Sequence, residues 1–230
     1  MEYDMFAAEG SKTVDVQKSF ITGVYLWMAF ALGVTGITAM FAVSTNIFEF
    51  IFSIPFAPII LGVAELALVA VLSAKINSLS AVAATLMFLI YSTLTGLSLS
   101  VIFLVYTGTS IATIFFVSAG MFALMSAFGF ATKADLTKMG SILMMVLIGI
   151  IIASVVNFFL GSAPLYFIIS FVSVIVFAGL TVYDAQKLKA ISVSGDFDTA
   201  RKQSVIGALS LYLDFINLFL SMLRLFGSRK

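Results

Sequence analysis

Residues 139–183 read MGSILMMVLIGIIIASVVNFFLGSAPLYFIISFVSVIVFAGLTVY. The 45 residues between Lys138 and Asp184 carry no charge. One membrane crossing takes roughly 20 apolar residues to traverse about 30 Å of hydrocarbon. The run is too long for one helix and must fold back once, at Gly161-Ser-Ala-Pro164. Between Lys75 and Lys133 lie 57 more uncharged residues, which fold back at Tyr106-Thr-Gly-Thr-Ser110. Another uncharged run separates Lys18 from Glu49. Working outward, the pattern predicts seven helices, at 20–43, 57–75, 81–105, 110–131, 139–160, 164–187 and 205–226. Pro55 and Pro58 lie before or within the first turn of the second, where proline is tolerated.

The composition leads to the same class. The chain has 230 residues, 62% hydrophobic and 10% charged, with 12 basic and 11 acidic side chains. Its mean hydropathy is +1.18. A soluble domain carries about 25% charge, so a soluble globule is excluded. A disordered chain and a strongly basic nucleic-acid binder are excluded as well. There is no cysteine and no histidine. That removes disulfides, thiol catalysis and Cys/His zinc or haem sites, and no cofactor is expected. It also removes the usual proton switch near neutral pH.

The expected fold is an all-α membrane protein: a polar tail over 1–19, a single seven-helix membrane domain over 20–227, and a short tail over 228–230. The only loop of any size is 188–204. The start, with Glu2, Asp4 and Glu9 and a long first apolar run, does not read as a secretory signal.

Lysine and arginine set the orientation. The N-terminal tail has two, the 75–80 turn one, the 132–138 loop two and the 187–204 segment four. The turns near 44–56, 106–109 and 161–163 have none. The N-terminus is therefore expected in the cytoplasm. Seven crossings leave Arg224, Arg229 and Lys230 on the other side. A re-entrant last segment would instead put all 12 basic residues on one side. The length of the last run, about 22 residues, favours a crossing.

Three acidic residues lie inside apolar runs: Glu65 in the second helix, Asp184 near the end of the sixth and Asp214 in the seventh. Such residues face a bundle interior or a water-filled cavity and mark ion or substrate paths. In the seventh helix Ser210, Asp214, Asn217, Ser221 and Arg224 form one stripe at steps of three and four. Ser170, Ser173, Thr181 and Asp184 form another in the sixth. Stripes that face each other would bring Asp184 and Asp214 together. Two carboxylates in a low dielectric cannot both ionise cheaply, so the pair would share a proton and titrate as a unit. Plainer readings stand beside this one. The hydroxyls can be packing residues, Asp184 can sit solvated near Lys187, Asp214 can make a structural bond, and Glu65 reads either way. Tyr183 and Tyr212 read as interface or core packing.

Gly179-Leu-Thr-Val-Tyr-Asp-Ala-Gln-Lys-Leu-Lys189 and Gly207-Ala-Leu-Ser-Leu-Tyr-Leu-Asp-Phe-Ile-Asn-Leu-Phe-Leu-Ser-Met-Leu-Arg-Leu-Phe-Gly227 resemble the last two helices of the Bax inhibitor-1 family. Ala74-Lys-Ile-Asn-Ser-Leu-Ser80 and Thr132-Lys-Ala-Asp-Leu136 add to the likeness, which runs over about 15–227 and is nearest the bacterial branch. The resemblance implies an inner-membrane protein with a central helix ringed by the others. It implies a pH-sensitive calcium leak whose acidic pair, Asp184 and Asp214 here, is a hydrogen-bonded proton sensor beside the pore. Some members latch the sixth-helix aspartate with an arginine near the end of the second helix. That arginine is missing here, and Lys75 is the nearest base.

A proton-regulated calcium leak is thus the leading expectation, with calcium held transiently by Asp184 and Asp214, since calcium prefers oxygen ligands. Glu65, Lys75, Asn217 and Ser210 are candidate accessory residues. A shared proton would hold the two helices together, whereas a fully charged pair would repel. Asp196 and Asp198 lack the spacing of an EF-hand loop and read as a solvated loop. Two rivals stand: a regulator that binds a membrane protease or other membrane protein without carrying ions, and a proton-coupled cation exchanger. An enzyme is not expected. Tyr183-Asp184 resembles half of an intramembrane aspartyl protease signature, but the Gly-x-Gly-Asp half is absent.

Overall fold

The computed structural model describes residues 2–45, 47–75, 78–191 and 197–230, with side chains from residue 16 onward except 197 and 198. Asp196 and the side chain of Asp198, read above as part of a solvated loop, lie outside the described residues. Among the described residues nine helices follow one another: α1 Glu2–Ser44, α2 Ile47–Phe52, α3 Ala57–Lys75, α4 Ala81–Leu99, α5 Ile102–Val105, α6 Gly108–Ala131, α7 Thr137–Leu160, α8 Ala163–Ala190 and α9 Phe197–Phe226. Seven spans are long and apolar enough to cross a membrane, with α4 and α5 together making the third. The protein is an all-α integral membrane protein.

Local chemistry places the boundaries. Ser80 caps α4 by accepting from the Ala83 N–H, and Thr107 caps α6 by accepting from that of Ser110. Gly161 ends α7 at φ 61°, a left-handed turn that suits glycine. Two ends depart from expectation. Helix α1 runs back through the polar tail to Glu2, and α9 starts at Phe197 rather than near 205. The polar stretch 199–204 is helical because one of its faces is covered: Ala200, Ser204 and Val205 are all buried.

The residues group into two compact units, Met1–Leu104 with Ile191–Ser210, and Val105–Ala190 with Leu211–Lys230. In the first, α1 and α3 pack on α4. A Cβ on Gly96 would lie 2.7 Å from the Thr35 carbonyl oxygen, so the bare glycine lets α1 and α4 close. Thr35 Oγ1 donates to the carbonyls of Ala31 and Ser92 at 2.9 and 3.0 Å, tying the two helices. In the second, α8 packs on α6 and α7. Gly129 lies under the Val182 carbonyl, and Gly140 sits against the Tyr183 ring, 2.5 Å from where its Cβ would be.

Burial separates lipid-facing helices from the interior. In α7 only Gly140 is buried, which leaves an apolar helix facing lipid. The last span is the most buried of the seven, with Leu211, Tyr212, Phe215 and Leu218 almost fully enclosed. Beyond α9 the chain pairs with the turn before α6. The Thr107 N–H donates to the Ser228 carbonyl at 3.1 Å, and the Lys230 N–H to that of Val105 at 3.0 Å. With α9 continuous, Arg224, Arg229 and Lys230 end beside the base-free 106–107 turn. The last segment is one continuous helix, long enough to cross, and not a re-entrant hairpin.

Candidate functional site

The site grows from the close packing around α8. Glycines 129 and 140 bring α6 and α7 onto the turn that holds Val182, Tyr183 and Ala185. One turn on, Gln186 clamps the loop between α6 and α7. Its Nε2 donates to the Ala134 carbonyl at 2.7 Å, and its Oε1 accepts from the Leu136 N–H at 3.0 Å. Lys189 Nζ donates to the Phe130 carbonyl at 2.7 Å, a cation on the last turn of α6. Asp184, next to Tyr183 and Ala185 on this turn, is half-buried.

Asp214 on α9 is buried, 6% exposed, and its Oδ2 has no hydrogen-bond partner. Asp184 lies within its electrostatic reach. Both carboxylates that the sequence singles out belong to the second unit. An unpartnered carboxylate oxygen in an apolar interior is costly, and such groups mark places where a proton, an ion or water is handled.

Ser118 is a residue that sequence reasoning missed. Phe115 and Phe122 of α6 meet Phe215 edge-on, with centroids 5.4 and 5.6 Å apart. Ser118 shares their helix face, fully buried, and its Oγ has no hydrogen-bond partner. An orphan donor and an orphan acceptor therefore belong to the same α6–α9 packing. The available signal was the stripe Ile111, Ile114, Ser118, Phe122, Ser126, Gly129, which is the buried face of α6.

The other candidates are placed elsewhere or occupied locally. Asn217 Nδ2 donates to the Leu213 carbonyl at 2.8 Å, and Ser221 Oγ to that of Asn217 at 2.7 Å. On α8 the hydroxyls of Ser170, Ser173 and Thr181 return to the carbonyls of Tyr166, Ile169 and Phe177. Most of the two stripes is thus back-bonded to its own helix. Ser210 belongs to the first unit, as does Glu65, whose Oε1 accepts from Ser98 Oγ at 2.6 Å. Lys75 is exposed in the last turn of α3. Among the described residues, no three acidic, histidine or cysteine side chains gather as a metal site. Calcium, which takes six to eight oxygens, would meet two carboxylates here and no closed cage.

A family model described as an inhibitor of apoptosis-promoting Bax1 matches residues 17–230. The chain belongs to the Bax inhibitor-1 family. It is 49% identical over 217 residues to the inner membrane protein YbhL of Escherichia coli K12, across 93% of each chain. A Borreliella burgdorferi protein is 42% identical over 226 residues, 95% of this chain and 97% of its own. One from Deinococcus radiodurans is 41% identical over 220 residues, 95% and 94% of the two. Both carboxylates of this Bax inhibitor-1 chain fall within the matched region.

Proposed function

We propose that this protein is a proton-regulated calcium leak of the bacterial inner membrane, with its N-terminus in the cytoplasm. Asp184 and Asp214 form the sensor beside the path. The observation that carries the reading is the buried Asp214, one oxygen unpartnered, within electrostatic reach of a second carboxylate on α8. With one proton between them the pair is a compact, singly charged hydrogen-bonded unit. Losing that proton leaves two like charges in an apolar setting, which drives α8 and α9 apart or draws in a cation. The inner-membrane placement follows the description of the Escherichia coli relative.

The test is calcium entry into liposomes that hold the purified protein and an internal calcium dye, across a pH series. Asp184→Asn and Asp214→Asn should each change the flux and flatten its pH profile. Wild-type flux and profile in both variants would refute the reading. No flux from the purified protein at any pH favours a partner-binding regulator. Calcium moving uphill on an imposed proton gradient favours an exchanger.

A further inference from the structure

Away from the carboxylate pair, the first unit holds a recess of about 270 Å³ between the Ser19–Trp27 stretch of α1 and the first turns of α9. It has room for several waters, more than a bare ion needs. Phe20 and Trp27 supply an aromatic wall, while Ser19, Arg201 and Ser204 supply polar groups. A Cβ on Gly23 would come within 2.9 Å of Ser204 Oγ, so the glycine lets the two helices meet at the floor. Ser204 Oγ closes that floor by donating to the carbonyls of Phe20 and Ala200 at 3.0 and 2.8 Å.

The Arg201 guanidinium lies 6.0 Å from the centre of the Trp27 ring. A cation–π contact needs none of the five N–H donors of a guanidinium. The recess therefore presents an exposed guanidinium, an exposed serine and an indole ring beside the buried Phe20. On α9 it lies over the first two turns of the last span, the depth at which headgroups meet the hydrocarbon. Planar bidentate donors at that depth match phosphate oxygens.

We propose that this recess binds a phosphate group, with Arg201 as the principal donor, Ser19 as a second and Trp27 as the wall. The group can come from an anionic lipid headgroup or from free phosphate. The chain has one tryptophan, so its fluorescence reports on this recess alone. The experiment titrates the full-length protein in neutral detergent with short-chain phosphatidylglycerol, with inorganic phosphate and with neutral diacylglycerol. A saturable change with phosphatidylglycerol but not phosphate supports the site and assigns it to lipid. A change with phosphate at similar concentration supports it and assigns it to a free anion. In either case Arg201→Gln should weaken half-saturation by about tenfold or more, the loss of a charge-assisted hydrogen bond. Ser19→Phe places bulk at an exposed rim position and should abolish the response even if Arg201→Gln fails to fold. No saturable change with either phosphate source overturns the proposal. So does an equal response to diacylglycerol, or a wild-type response from the folded variants.

Discussion

Ser118 and Asp135 show how far single residues depend on their setting. Ser118 is a buried hydroxyl with no partner, and burying such a group costs about 1–3 kcal/mol. Ser118→Ala should therefore leave the melting temperature unchanged or raise it. A clear drop would show that the hydroxyl is bonded. Asp135, in the loop before α7, accepts from the Thr137 N–H at 2.9 Å and from Thr137 Oγ1 at 2.6 Å. These bonds hold its carboxyl below the ordinary value of 3.8. A depressed folded-state value stabilises the fold above the unfolded value, and that gain is lost as pH falls through the folded one. Asp135→Ala should melt slightly below wild type near neutral pH, with the gap closing on acidification below about 3.8. Asp184 and Asp214 were legible in the sequence because charge within an apolar run is rare. Ser118 was not, because a lone serine in a membrane helix looks the same whether it packs, back-bonds or is orphaned.

At the scale of elements, glycines decide which helices touch. A side chain at Gly129 meets backbone, the Val182 carbonyl, which cannot step aside. One at Gly179 meets the tip of Leu143 at 2.8 Å, which can rotate away. Gly129→Ala should therefore cost about 1–3 kcal/mol and Gly179→Ala clearly less, ranked by thermal melting in detergent. Equal losses would mean that the two contacts are equally rigid. The seven spans were legible because charge-free runs and Gly/Pro breaks report the bilayer directly. The starts of α1 and α9 were not, because polar residues form helix readily when a neighbour covers one face. Ala200 and Ser204 are covered in that way. Pairing of the 228–230 tail with Val105 and Thr107 uses backbone groups, which leave no mark in the sequence.

For the whole molecule, the lack of cysteine makes topology directly measurable. On the proposed orientation, an impermeant thiol reagent on intact cells should label Ala163→Cys and Ser228→Cys and spare Ala134→Cys. The reverse pattern would invert the orientation. Labelling of all three sites, or of none, would contradict the single crossings of α7 and α9. The back-bonded hydroxyls of Ser170, Ser173 and Thr181 carry a last consequence, for the sign of what can pass. Each spends its one proton on its own helix and keeps its oxygen lone pairs. Along α8 these groups can therefore accept but not donate. A cation on the proposed path would find oxygens that can stand in for lost water, whereas an anion would find no donor there. Vesicles should then fill with cations and exclude chloride.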